Sequence, residues 1–404
     1  MNKPIFRDYY KEMMLFLVIL MSFNLSAQER TAKVDWAPIA PVNTRAEIEA
    51  GLKSHDRALF LKDHWIRDPY IIFGPDDYYY LTGTTPNEND PKEKSDPYNK
   101  GLYKGTIVGS KVRVWRSKDL IDWEYLGAPF DITDSYHLQK GLELTKLNQG
   151  TGGKEVLWAP ELHWIKDKWA LVHCPKGRSS LAFTEGLAVK GPWEHPMGEA
   201  FDKKHDPSLF QDEDGTWYAL WANTYIAKIK SDFSDLDSEP YYIVPSSERP
   251  NPKKEGAMLT RIGHEGATMR KIEGKYVSFG TAWSTDRGRQ GSYNLYYCVA
   301  DEVTGEYGPR KFVGRFLGHG TPFQTKDGKW WCTAFFNANV PPVPRAGIED
   351  RDLSETAQTI NQRGTTIVPL EVKILEDGEI FIRAKDPAYR NPGPDENQKF
   401  TKMK

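Results

Sequence analysis

Residues 209–222 read Leu-Phe-Gln-Asp-Glu-Asp-Gly-Thr-Trp-Tyr-Ala-Leu-Trp-Ala: an apolar stretch, a polar turn, then an aromatic-rich stretch. Asp214-Gly215 between two such stretches is a hairpin signal, because glycine supplies the positive φ that a tight turn between twisted strands requires. The pattern recurs four times. It spans Ile71 to Gly83 around Pro75-Asp76-Asp77-Tyr78-Tyr79-Tyr80, and Leu162 to His173 around Lys166-Asp167-Lys168-Trp169. It returns from Met269 to Ala282 around Glu273-Gly274-Lys275-Tyr276, and from Pro322 to Phe335 around Asp327-Gly328-Lys329-Trp330-Trp331. Further strands with their own turns follow the hairpins, as in Val112 to Ser117 and then Trp123 to Leu126. Four short strands per unit and five units predict an all-β fold, a five-bladed β-propeller. A β-sandwich is the alternative, since hairpins alone do not fix ring closure. Helical periodicity is weak, and Arg45 to Lys53 is the one convincing helix expected after the N-terminal segment.

A length of 404 residues permits two domains or one large all-β domain, and the repeat favours one. Aromatic residues make up 13% of the chain, with 13 Trp and 20 Tyr, which suits stacking on sugar faces as well as a β-rich core. A formal charge of -2 argues against nucleic acid as partner, whose phosphates demand a basic surface. Cys174, Cys298 and Cys332 each sit in an apolar strand-like segment and are expected to be buried free thiols.

Lys3, Arg7 and Lys11 precede the apolar run Met13 to Met21, which is too short to span a bilayer, and Ser22 to Ala27 offers a cleavage point. Residues 1–27 therefore read as a signal peptide, with a signal anchor as the alternative. The mature protein is expected to begin near Gln28, to be exported to the periplasm or the exterior, and to have no membrane contact after cleavage. Residues 28–60 read as an N-terminal extension with the short helix, 61–385 as the propeller, and 386–404 as a charged, Pro-bearing tail, frayed or wrapped on the surface. Two polar insertions, 87–104 and 131–154, are long enough to build pocket walls.

Three acidic residues stand in distinctive phrases just before strand-turn-strand units. They are Asp68 in Ile66-Arg67-Asp68-Pro69, Asp206 in His205-Asp206-Pro207-Ser208, and Glu265 in His264-Glu265-Gly266-Ala267. Equivalent points of successive repeats would bring three carboxyls to one centre, which is what glycosidic cleavage needs. A single Asp-Pro is only a common turn dipeptide. The ordered series is more specific: Arg67-Asp68-Pro69, Trp158-Ala159-Pro160-Glu161, His205-Asp206-Pro207-Ser208-Leu209-Phe210, Glu265-Gly266-Ala267 and Gly318-His319-Gly320. It resembles glycoside hydrolase family 43, propeller enzymes that remove arabinose, xylose or related sugars, over roughly Asp63 to Asp386.

The resemblance implies that Asp68 is the general base, Glu265 the general acid, and Asp206 the third carboxylate that orients the acid. Arg67 would help keep the base ionised. Ala267 departs from the family's usual Pro after Glu-Gly. Glu161 is a rival acid but reads better as a pocket-wall residue, with Trp158 beside it as a stacking platform. Trp283, Arg287 and Tyr293, in the segment after the acid, are expected to line the substrate site. His319 resembles an axial histidine that in relatives can hold calcium or sodium through water, so a structural cation is expected there at most, and no cofactor is required. The chain is thus expected to be an exo-acting, inverting glycosidase acting on plant or algal oligosaccharide or polysaccharide. Two alternatives remain: a family 117-like 3,6-anhydrogalactosidase with His264 or His319 as acid, and a non-catalytic carbohydrate-binding propeller.

Overall fold

The computed structural model describes residues 42–95, 107–141, 156–175, 177–201, 205–335, 347–355 and 364–403. The expected signal peptide, the extension up to residue 41, and residues 96–104 and 142–154 of the two long insertions lie outside the described residues.

Helix α1 (Arg45–Ser54) begins at Thr44, whose hydroxyl accepts from the Glu47 amide while the Glu47 carboxylate accepts from the Thr44 amide at 2.7 Å. This reciprocal cap satisfies two amides that the first turn leaves without intrahelical partners. Strand β1 (Leu59–Lys62) follows. The first blade is β2 (Arg67–Phe73), β3 (Tyr79–Thr84), β4 (Lys111–Ser117) and β5 (Glu124–Asp131), hydrogen-bonded in that order. The second is β6 (Leu157–Ile165), β7 (Lys168–Pro175) and β8 (Ser180–Glu185), with Phe183 bridging to Glu194 as a vestigial fourth strand.

The third blade is β9 (Ser208–Gln211), β10 (Trp217–Trp221), β11 (Tyr225–Lys228) and β12 (Tyr241–Tyr242). A small hairpin of β13 (Ser247–Pro250) and β14 (Met258–Leu259) stands between it and the fourth blade. That fourth blade is β15 (Glu265–Ile272), β16 (Lys275–Trp283), β17 (Tyr293–Ala300) and β18 (Lys311–Gly314). The last blade contains β19 (Pro322–Gln324), β20 (Trp330–Ala334) and β21 (Thr365–Ile374), with β22 (Ile380–Ala384) on the far half of β21. Its outer edge is completed by β1, which pairs Leu59 with Ile367. Leu59 and Phe60, read from sequence as extension, are therefore part of a blade.

The turns follow the chemistry expected of them. Gly215 has φ 85° in the β9–β10 turn, and Glu273-Gly274 has φ 49° and 76° in the two-residue β15–β16 turn. Lys166-Asp167 makes the same kind of two-residue turn with φ 49° and 62° and no glycine.

Five apolar clusters close the ring. Val114 of the first blade meets Trp169 of the second, and Val172 of the second meets Leu209 and Trp221 of the third. Leu220 meets Met269, and Phe279 meets Val368. Finally Trp331 and Ile367 of the fifth blade meet Ile71 and Leu81 of the first. Trp169 and Trp331 are fully buried, and truncating such a ring to alanine costs about 3–5 kcal/mol. Every blade thus has two apolar neighbours, and the architecture is an all-β five-bladed propeller. Cys174, Cys298 and Cys332 are free and buried, as expected.

The C-terminal segment differs from its sequence reading. Tyr389 and Asp395 are buried, and β23 (Thr401–Lys402) pairs with β13. Its charge misled because Asp395 is paired with Arg315 at zero side-chain exposure.

Candidate active site

Each innermost strand starts with the same local device. Asp68, Ala159, Asp206, Gly266 and His319 all have positive φ, between 42° and 68°. Four of the five carry a side chain there, at a backbone cost of order 1–3 kcal/mol each. In β2, β6 and β15 the ladder skips two residues at this point, between Arg67 and Tyr70, Trp158 and Glu161, and Glu265 and Thr268. This bulge re-aims the chain at the rim of the axis. The residues that follow these five positions are Pro69, Pro160, Pro207, Ala267 and Gly320, so Ala267 occupies a position that the repeat fills with more than proline.

His319 is the hub. Its Nδ1 lies 3.2 Å from Asp68 Oδ1 and 4.0 Å from Asp206 Oδ2. Asp68 Oδ2 also accepts from Thr84 Oγ1 at 2.8 Å, and Arg67 Nε lies 3.3 Å from the same carboxylate. Burial pushes the Asp68 carboxyl up, but Arg67, His319 and Thr84 outweigh it and hold the group at about 2. Burial likewise pulls His319 down, and Asp68 and Asp206 more than reverse this, raising it to about 10. At neutral pH the centre therefore holds an imidazolium beside an ionised Asp68.

Asp206 and Glu265 form the second half. Together with His205 they offer ligand atoms all within 4.8 Å of one another. Burial raises the Asp206 carboxyl, helped by the negative charges of Glu265 and Asp68, although His319 and His205 oppose it. Its Oδ2 accepts from the Gly266 amide at 3.2 Å. Glu265 keeps a fifth of its side chain open and lies 3.6 Å from His264 Nε2. Burial pushes its carboxyl up, but His264, Arg289 and His319 pull it well below the usual glutamate range. Tyr293 donates its hydroxyl to Glu265 Oε1, and the Tyr293 ring stacks on Trp283 at 4.5 Å.

The backbone of Glu265 is fixed from two sides. Asn223 Nδ2 donates to its carbonyl at 2.9 Å and Thr281 Oγ1 at 3.0 Å. The left-handed φ at Gly266 favours glycine, and the space is tight as well, a Cβ there sitting 3.1 Å from His319 Cδ2.

Of the residues singled out in sequence, the structure brings Asp68, Asp206, Glu265 and His319 to one centre and sets Arg67 against it. Trp158 faces the Arg67 guanidinium, 5.5 Å from its ring, and Trp283 lies beside Glu265 through Tyr293. Two assignments need correction. Glu161 is not a pocket-wall residue: its Oε2 bonds His163 Nε2 at 3.0 Å and Ser208 Oγ at 2.8 Å, tying the second blade to the third. Arg287 is exposed and pairs with Glu355 on the surface, 3.3 Å away, whereas Arg289 lines the cavity at Glu265. Thr84, Asn223, Thr281 and Arg289 were missed in sequence. Only Asn223 had a signal: Gly280 sits in a strand interior, and a Cβ there would lie 2.1 Å from the Asn223 amide nitrogen.

Carboxyls of unequal proton affinity, gathered from different blades at one end of an axis, are the equipment of a glycoside hydrolase. Residues 63–373 match the model of Glycosyl hydrolases family 43, and the chain belongs to that family. It is 26% identical over 287 residues to a candidate β-xylosidase of Escherichia coli (strain K12), covering 65% of this chain and 50% of that one. It is 23% identical over 304 residues to a xylan 1,3-β-xylosidase of a Vibrio species, covering 68% and 48%. The chain spans about half the length of these curated relatives. In fold it resembles an endo-1,4-β-xylanase of Bacteroides thetaiotaomicron, with a TM-score of 0.50, 20% identity, and coverage of 79% of this chain and 94% of that one.

Proposed function

We propose that the protein is an exo-acting, inverting glycoside hydrolase that removes terminal α-L-arabinofuranosyl, β-xylosyl or related sugars from plant or algal polysaccharide fragments. The observation that carries this reading is the division of labour around His319: Asp68 is held ionised, while Asp206, whose carboxyl burial raises, offers an oxygen within 4.8 Å of Glu265. In the reaction, Asp68 takes a proton from a water whose oxygen attacks the anomeric carbon. The glycosidic C–O bond breaks with inversion as Glu265 gives its proton to the leaving oxygen. Asp68 ends protonated and Glu265 ionised, and exchange with solvent restores both.

Burial raises the Asp206 carboxyl while its neighbours pull Glu265 below the usual range, so in the free protein a proton on this pair favours Asp206, and the acid role requires its transfer to Glu265. The Arg67 guanidinium is buried, and its Nη1 has no hydrogen-bond partner among the described residues. Calcium or sodium on His319 fits poorly, because an imidazolium protonated on both nitrogens has no lone pair to offer and repels positive charge.

Export rests on the same N-terminal run, Met13 to Met21 behind Lys3, Arg7 and Lys11. N-terminal sequencing of protein recovered outside the cytoplasm tests it, with a start near Gln28 expected. The activity is tested on nitrophenyl arabinofuranoside, xyloside and galactoside, then on plant and algal oligosaccharide ladders. Single sugars released from one chain end support the reading, and a spread of internal fragments sinks the exo assignment. Retained activity in Glu265→Gln with loss in His319→Ala would move the acid role to a histidine, as the family 117-like alternative requires. Sugar binding without turnover on any of these substrates would favour the non-catalytic propeller.

A further inference from the structure

A cavity of about 520 Å³ opens on the Glu265 side of the centre, bounded by His264 and Glu265 but not by Asp68 or Asp206. Ala282 and Trp283 at the end of β16 form part of its wall, and most of the rest comes from outside the blades: the β13–β14 hairpin with the residues after it, the β16–β17 loop, and the C-terminal segment. These walls are braced. Arg249 and Asp286 join hairpin to loop through two hydrogen bonds, one of 2.8 Å. Asp395 accepts from the Ser292 amide and hydroxyl, both at 2.8 Å, as well as from Ser284 and buried Arg315. The C-terminal segment is therefore part of the cavity rather than a loose end.

The walls are also cationic. Among the described residues, Lys253 and Arg261 line the cavity in addition to the Arg249–Asp286 pair, Arg289 stands beside Glu265, and no further acid lines it. A chain of net charge -2 has no general surplus of such residues. Buried Trp283 adds an aromatic wall. In the reading of Glu265 as acid, on which this inference rests, the leaving sugar sits on the acid's outer side, away from the base. We propose that this cavity is a leaving-group subsite for an anionic sugar, one bearing a carboxylate or a sulfate ester. Lys253 and Arg261 would meet the anion, because charge-assisted hydrogen bonds to oxyanions are stronger than neutral ones. The neutral face of the same sugar would lie toward Trp283.

Binding tests this independently of turnover. Calorimetry compares trigalacturonate, a 6-sulfated galactotriose and neutral galactotriose on the full chain, in about 20 mM and about 300 mM NaCl, where screening differs strongly. A second protein carries Lys253→Gln and Arg261→Gln; both side chains are exposed, so folding is not at issue. At low salt we expect at least one anionic trimer to bind about tenfold tighter than the neutral one, since exposed pairs contribute up to about fivefold each. The preference should shrink with salt and fall to about twofold or less in the double variant. Whether the uronate or the sulfate gains the affinity identifies the anion. Equal affinity for charged and neutral trimers overturns the proposal, as does a preference that survives the double variant. Neither result touches the hydrolase reading, which stands or falls on product release from the substrate panels.

Discussion

The imidazolium of His319 should make the folded protein lose stability as pH rises, and removing the ring should abolish that loss. Burial pulls the proton affinity of His319 down, but Asp68 and Asp206 raise it to about 10, against an ordinary 6.5. The folded state therefore keeps a proton that the unfolded chain has released. The stability this contributes is fully present below about pH 6.5 and is lost as pH climbs through about 10. Between those limits the native state binds about one more proton, so unfolding free energy falls by about 1.4 kcal/mol per pH unit. Two units, from about pH 7.5 to 9.5, remove roughly 3 kcal/mol. His319→Asn retains a polar side chain but cannot carry the charge. Equilibrium urea unfolding of both proteins across that range is the assay, because tyrosines and lysines common to both cancel in the difference. The advantage of wild type over variant should shrink by roughly 3 kcal/mol. Parallel pH slopes would refute a charged His319 at the axis and, with it, the account of why Asp68 stays ionised.

Four further substitutions have expected outcomes. Asp68→Asn should lower kcat by about 10²–10⁴ on every substrate, whereas Glu265→Gln should be mild on nitrophenyl leaving groups and severe on natural glycosides; kinetics on both classes check this. His264→Gln removes the first of the influences that hold Glu265 low, so the acid keeps its proton to higher pH and the alkaline limb of kcat/KM moves upward. Arg315→Met leaves Asp395 buried without its charge partner and should cost about 3–5 kcal/mol in urea unfolding.

The propeller and the central carboxyls were legible because both depend on local chemistry. Turn residues repeat along the chain, and three of the five left-handed strand starts carry Asp or Gly, residues that tolerate that conformation. Ring closure was less visible: Leu59–Lys62 is four residues long and finds β21 some three hundred residues away, so no local pattern marks it. Glu161 was misread because its partners, His163 and Ser208, lie two residues on and in the next blade, and neither is implied by Trp-Ala-Pro-Glu. Arg287 and Arg289 are chemically equal in sequence. Loop geometry, pinned at Asp286 by Arg249, turns one to solvent and the other to Glu265. The C-terminal segment reads as solvated because charge usually is, and its burial depends on distant partners, Arg315 eighty residues earlier and Ser284 and Ser292 in the β16–β17 loop.

The central claim is a single displacement with Asp68 as base and Glu265 as acid. Proton NMR of the anomeric signals during the first minutes of hydrolysis tests it most directly. The account predicts that the released sugar first appears in the anomeric configuration opposite to that of the substrate and then mutarotates. First appearance of the retained anomer would require a covalent glycosyl-enzyme and would contradict it.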